Sequence, residues 1–148
     1  MDGQSSKPYA RQSAVKESAT SLQNRLIESV QKKYPLSRLF RQNTGSAYPI
    51  TSFKRALPFL FKGIVPVWLR PVAFGTPGQG DIGGWINING VAVVCHIEVK
   101  IGADKQREAQ EKFEATVKRC GGIYVIAHDL DQGMAALADA ISALRTSS

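Results

Sequence analysis

The sequence predicts an α/β domain, a small mixed β-sheet flanked by helices. The two clearest strand-like runs, Val91–Lys100 and Ile123–Ala127, are separated by a single helical stretch. Such a βαβ unit pairs its strands in parallel through a right-handed crossover. Amphipathic periods of three and four open and close the chain, and shorter extended segments lie between them. With 148 residues, 43% hydrophobic and 21% charged, the composition suits one compact domain, residues 17–148, large enough to bury a core.

Residues 1–16, rich in serine and without an apolar period, read as a flexible basic arm that either touches a phosphate backbone or does nothing. Ala19, Leu22, Leu26 and Val30 then mark a helix from Ala19 to Lys33, stopped by Pro35. A short strand at Leu39-Phe40-Arg41 runs into the polar turn Asn43-Thr44-Gly45. Residues 46–70 read as irregular. Pro66 and Pro71 demote the stretch Val65–Phe74 to an edge strand or an extended loop. Between Gly75 and Gly84 five glycines surround one acid, Asp81, which requires a sharp turn or a close approach.

The strand Val91–Lys100 alternates at its end, so His96, Glu98 and Lys100 share one face and Cys95, Ile97 and Val99 the other. Asp104 is expected to cap the next helix, with Ala109, Phe113, Thr116, Val117 and Cys120 as its buried stripe and Gly121-Gly122 as its stop. A last helix, about Gln132 to Leu144, buries Met134, Leu137, Ala138, Ile141 and Leu144. The two cysteines, Cys95 and Cys120, lack metal-ligand or disulfide spacing and read as reduced core residues.

The charge is uneven. The chain carries +7 overall, but residues 1–70 hold +9 and residues 71–148 hold −2. A polyanion partner explains such a split, because Lys and Arg release counterions from phosphates; a surplus that only aids solubility explains it too. Lys32, Lys33, Lys54 and Arg55 are the basic pairs that would meet DNA. No apolar run is long enough to span a membrane, and the first twenty residues lack the apolar block of a signal peptide, so a soluble, cytoplasmic protein is expected.

Asp81 lies 17 residues before Glu98, a spacing that lets a hairpin bring the two together. Two adjacent carboxylates repel, which raises a pKa or demands a cation, and hard oxygen donors prefer Mg²⁺ or Mn²⁺. Lys100 would then hold a water or neutralise charge on a phosphate. Taken alone, Glu98 and Lys100 read rather as a surface ion pair.

The ordered set Phe74-Gly75-Thr76-Pro77-Gly78-Gln79-Gly80-Asp81-Ile82-Gly83-Gly84, His96-Ile97-Glu98-Val99-Lys100, Gln110 and Gly121-Gly122-Ile123-Tyr124 resembles the VRR-NUC nucleases, the virus-type replication-repair branch of the PD-(D/E)XK superfamily. Arg41-Gln42-Asn43-Thr44-Gly45 is similar to the family's Arg-x-Asn-x-Gly turn. The resemblance covers about residues 19–127. It implies a PD-(D/E)XK core in which Asp81, Glu98 and the Val99 carbonyl bind Mg²⁺ or Mn²⁺, Lys100 positions the attacking water, and Gln110 faces Lys100. Gln106, one turn away, reads equally as an ordinary helix-surface glutamine.

Arg41 and Asn43 become candidate DNA contacts beside Lys54 and Arg55. Gly80 stands where the superfamily usually has proline, which predicts a looser turn. The family's first-helix glutamate aligns with Ala19, so Glu17, Glu28 or Gln23 would have to serve instead.

The function so implied is a metal-dependent endonuclease of branched DNA, similar to Holliday-junction resolvases, from a bacterium or a phage-infected cell. The alternatives are a nuclease of flaps, ends or single strands, and a catalytically weak DNA-binding accessory protein of the same fold. Two incisions by a chain with one site imply a homodimer. Leu57–Leu69 is apolar enough to form its interface, or else covers the core.

Overall fold

The computed structural model describes residues 17–42 and 45–146. The N-terminal arm expected over residues 1–16, and Asn43 and Thr44 of the polar turn, lie outside the described residues.

Helix α1 (Ala19–Lys33) begins where expected. Ser18 caps it, its hydroxyl accepting the Ser21 N–H at 3.1 Å. Strand β1 (Arg38–Arg41) follows, then β2 (Gly45–Ala47), helix α2 (Ile50–Leu60) and β3 (Val72–Phe74). The remainder is β4 (Ile82–Ile88), β5 (Val91–Val99), α3 (Glu108–Arg119), β6 (Ile123–Ala127) and α4 (Leu130–Thr146). Among the described residues no helix is long and apolar enough to cross a membrane.

One sheet runs β1-β4-β5-β6. Its first two pairings are antiparallel and the last, β5 with β6 across α3, is parallel. This is the expected small mixed sheet with helices about it. β2 and β3 form a separate antiparallel ribbon.

The alternation read on β5 is present. Cys95, Ile97 and Val99 join Leu22, Leu26 and Val30 of α1, and Leu137 and Ile141 of α4, in the core on one face. On the opposite face His96 packs edge-on against Phe113 of α3, with ring centroids 4.9 Å apart. One face therefore builds the core, while the other gathers His96, Glu98 and Lys100. Burial of the Leu26 side chain, wholly inaccessible, contributes about 1.5–3 kcal/mol.

Three expectations need correction. Residues 46–70 are not irregular, because α2 occupies 50–60 with Pro58 inside its last turn. There proline removes one helical N–H but leaves the preceding turns bonded. The glycine-rich stretch does both things expected of it: residues 75–78 bend and turn, and β4 runs on through Gly83 and Gly84. Its glycines answer close approach: a Cβ on Gly84, at φ +151°, would strike the Arg38 carbonyl oxygen, and one on Gly83 would strike the Gln42 amide.

The cap of α3 is Arg107, not Asp104, since Gln110 Oε1 accepts the Arg107 N–H at 2.8 Å while Asp104 turns to Lys100. Finally, the stripe on α3 is narrow. Val117 is buried and Phe113 half-buried, whereas Ala109, Thr116 and Cys120 are exposed, because α3 stands away from the start of β5 and leaves a cavity of about 510 Å³ there.

Cys120 is thus a surface thiol, while Cys95 is fully buried and burial pushes its pKa up to about 12. A thiol-alkylating reagent at pH 8 is expected to modify Cys120 alone in the native chain and both cysteines in denaturant, as read by mass spectrometry. Equal native rates at the two would mean that the sheet opens readily.

A candidate active site on the polar face of the sheet

Asp81 immediately precedes β4, whose Ile82 pairs with Ile97 of β5, so the register sets Asp81 opposite Glu98. Two backbone contacts fix it. Its carbonyl accepts the Gln42 N–H at 2.7 Å, and its Oδ2 accepts the Val99 N–H at 2.9 Å. A residue of an extended strand directs its carbonyl to the same edge as its N–H. The Val99 carbonyl therefore lies on the edge of β5 that faces Asp81.

Gly80 does not make the turn loose. It is buried, and an added Cβ would lie 3.1 Å from the Ile97 carbonyl oxygen, so the chain passes close against β5. Gly78, at φ +82°, packs against the first turn of α3, where a Cβ would collide with the Ala109 carbonyl oxygen. The glycine-rich segment thereby ties Asp81 to the helix that carries Gln110.

Glu98 and Lys100 are each 3% exposed. Lys100 Nζ lies 3.1 Å from Glu98 Oε1, 3.3 Å from Asp104 Oδ2 and 3.2 Å from Gln110 Oε1. Gln110 Nε2 in turn donates to Glu98 Oε1. This is a buried network, not a surface pair. Burial, and next the Asp81 charge, raise the Glu98 pKa above the ordinary carboxyl range, against the opposing pull of Lys100 and Gln110.

The structure brings Asp81, Glu98, Lys100 and Gln110 together and sets Gln106 apart, hydrogen-bonded to Glu114 at 2.6 Å. Arg41, exposed at the end of β1, pairs in register with Ile82 and so flanks Asp81. Lys54 and Arg55 are exposed on α2, which makes little contact with the main sheet. Arg55 lies over the Trp68 ring, 5.3 Å from its centroid. Asn43 is outside the described residues. Of the first-helix candidates, Glu17 is engaged by Arg25 at 2.8 Å, Glu28 is exposed, and Gln23 is buried.

Three neighbours of the site are not evident from the sequence. His128 Nδ1 is 3.1 Å from the Lys100 carbonyl, just past β6 where Lys100 N–H also bonds Ala127. Asp104 reads as a helix cap, although it stands four residues from the lysine it contacts. Tyr124 is buried close to the carboxylates, and burial, then the charges of Glu98, Glu114 and Asp81, hold its phenol above the ordinary value. β6 is buried along nearly its whole length and leaves no alternation to reveal Tyr124, which the Cys95–Ile123 pairing puts opposite His96.

Among the described residues no three His, Cys, Asp or Glu side chains converge as a metal group. The donors present are two carboxylates and a backbone edge. They fit a hard divalent cation that keeps several waters, and Glu98 Oε2 is buried with no hydrogen-bond partner. Comparison with family models, curated proteins and solved structures finds no match for this chain.

Proposed function

We propose that the chain is a Mg²⁺- or Mn²⁺-dependent endonuclease with a PD-(D/E)XK-type core that hydrolyses phosphodiester bonds in branched DNA. The observation that carries the reading is the group of Asp81, Glu98, Lys100 and Gln110, with Glu98 and Lys100 buried and Glu98 Oε2 unpartnered. A bound cation would supply charge at a phosphoryl oxygen and acidify a water. Asp81 and Glu98 are the residues to hold it. Lys100, kept in place by Gln110 and by the His128 contact to its carbonyl, orients the water and offsets charge on the phosphate. Arg41 binds the flanking backbone. Cutting both strands of a junction requires two such chains, so a homodimer is part of the proposal.

A second reading, a DNA-binding accessory protein of weak activity, is favoured by one feature. Lys100 and Gln110 both occupy Glu98 Oε1, and Asp81 Oδ2 is already bonded to Val99. A labelled panel of four-way junction, flap, duplex and single-stranded DNA, with Mg²⁺, Mn²⁺ or chelator, separates the readings. Metal-dependent paired incisions in the junction support the first, cuts confined to flaps or ends reassign the substrate, and binding without cleavage supports the second. Light scattering at micromolar concentration tests the dimer; a monomer that makes both cuts in one encounter excludes it.

The raised Glu98 pKa gives a metal prediction with a definite sign. The folded chain holds a proton that the unfolded chain releases, so this group's stabilisation is complete below the ordinary carboxyl pKa of 4.5 and is lost as pH rises through the folded value. A cation relieves that loss. Mn²⁺ at a hundred times its pH 8 Kd is expected to add about 2.7 kcal/mol at pH 8 and, at the same concentration, less at pH 5. Thermal melts check this, and a gain equal at both pH values, or undiminished in Asp81→Asn, means that the ion binds elsewhere.

A further inference from the structure

On the same sheet face as Glu98, bordered on one side by Phe113 of α3, lies a groove of about 520 Å³. Phe40 of β1, Trp85 of β4 and Val94 of β5 line it and are 52%, 40% and 53% exposed. Large apolar side chains on an uncovered sheet face are costly unless something covers them. The polar lining points the same way. Gln42 Oε1 and His96 Nδ1 are both inaccessible and without a hydrogen-bond partner, and His96 is 8% exposed. A buried polar atom left unpaired is destabilising, so a ligand whose edge reaches either atom as it seats relieves that cost.

We infer that this groove is a nucleobase subsite, taking one unpaired base of the nucleic acid whose backbone lies at Asp81 and Glu98. The inference rests on the nucleic-acid reading proposed above and specifies its substrate. A base has the required shape: a flat face to stack on the Trp85 indole and Phe40 ring, and an edge of donors and acceptors for the Gln42 amide and the His96 imidazole.

Position and charge agree. His96 precedes Glu98 by two strand residues, about 6.6 Å, so a base in the groove leaves its backbone beside the carboxylates. No acid occurs between Glu28 and Asp81, and Arg38, opposite Trp85 in the register, stands at the outer rim. Bases of an intact duplex are stacked and paired and cannot enter. The groove therefore selects DNA with a nucleotide that is unpaired, or unstacked at a branch point, next to the scissile phosphate.

The test uses the full chain in chelator, so that cleavage plays no part. A single abasic residue is walked along a labelled single-stranded oligonucleotide, and 2-aminopurine is placed at each position in turn. One position is expected to weaken binding about tenfold when abasic and to quench 2-aminopurine when occupied. Trp85→Ala should lose that preference while Trp85→Phe keeps most of it; the indole N–H to the Leu36 carbonyl, at 3.2 Å, is absent in both and so controls for that bond.

An abasic walk without a weak position, duplex bound as tightly as single strands, or Trp85→Ala binding like the wild type would each overturn the subsite. The walk needs no variant, so it decides even if Trp85→Ala fails to fold. DNA binding that ignores the bases removes the subsite and leaves the nuclease reading standing. Base-dependent binding without cleavage in the panel removes the nuclease and leaves the subsite. No binding to any DNA overturns both.

Discussion

Asp81→Asn and Glu98→Gln are each expected to lower single-turnover cleavage by about a hundredfold or more while the chain still folds and binds DNA. The substitutions are isosteric, and the contacts that hold each side chain survive. In Asp81→Asn the amide oxygen still accepts the Val99 N–H, and in Glu98→Gln the amide oxygen still accepts from Lys100 and Gln110. What disappears is one negative charge of the pair that would hold the cation. Charge stabilisation at a reacting phosphate is the main contribution such a site makes to the rate, and losing one charged ligand removes several kcal/mol of it. The rate is read in single turnover with saturating Mn²⁺, and folding by thermal melts. Retention of more than about a tenth of the wild-type rate, under roughly 1.4 kcal/mol, by either variant would falsify its assignment as a ligand.

How far the sequence exposes this arrangement depends on what kind of signal each part leaves. Glu98 and Lys100 are legible because a strand's period of two is rigid, and the alternation that hides Cys95, Ile97 and Val99 necessarily gathers His96, Glu98 and Lys100 on the other face. Asp81 needs the loop length before β5 and the resemblance together. β4 is invisible for a definite reason: Gly83 and Gly84, which normally break strands, are there because β1 and Gln42 approach too closely for a side chain. α2 is hidden by Pro58, although Ile50, Phe53, Leu57 and Leu60 keep a helical period.

The buried stripe on α3 comes out too wide because periodicity shows which side chains share a face, not how near that face comes to the sheet. His128 leaves no signal. Its contact is to a backbone carbonyl 28 residues away, which only the parallel pairing of β5 with β6 creates. The groove beside the carboxylates is equally hidden, since it combines one residue or more from each of three strands.

Lys100 should show a double loss when replaced, and the two losses can be separated. Its side chain is 4% exposed and its ammonium contacts Glu98, Asp104 and Gln110, so Lys100→Ala strands a buried carboxylate. Removing one partner of a buried pair costs about 3–5 kcal/mol, and urea unfolding at neutral pH should show it. That penalty ought to shrink as pH falls, because the Glu98 pKa is already raised and protonation removes the unpaired charge.

Cleavage should fall severely in the same variant, whereas Mn²⁺ affinity, read by calorimetry, should hold or rise, since a competing cation has left Glu98. Lys100→Met keeps the aliphatic stem and isolates the charge. A Met variant that cuts at the wild-type rate would restrict Lys100 to balancing Glu98. A slow Met variant with intact Mn²⁺ binding would make the ammonium act on the water and phosphate, because packing, metal and fold would then all be accounted for without it.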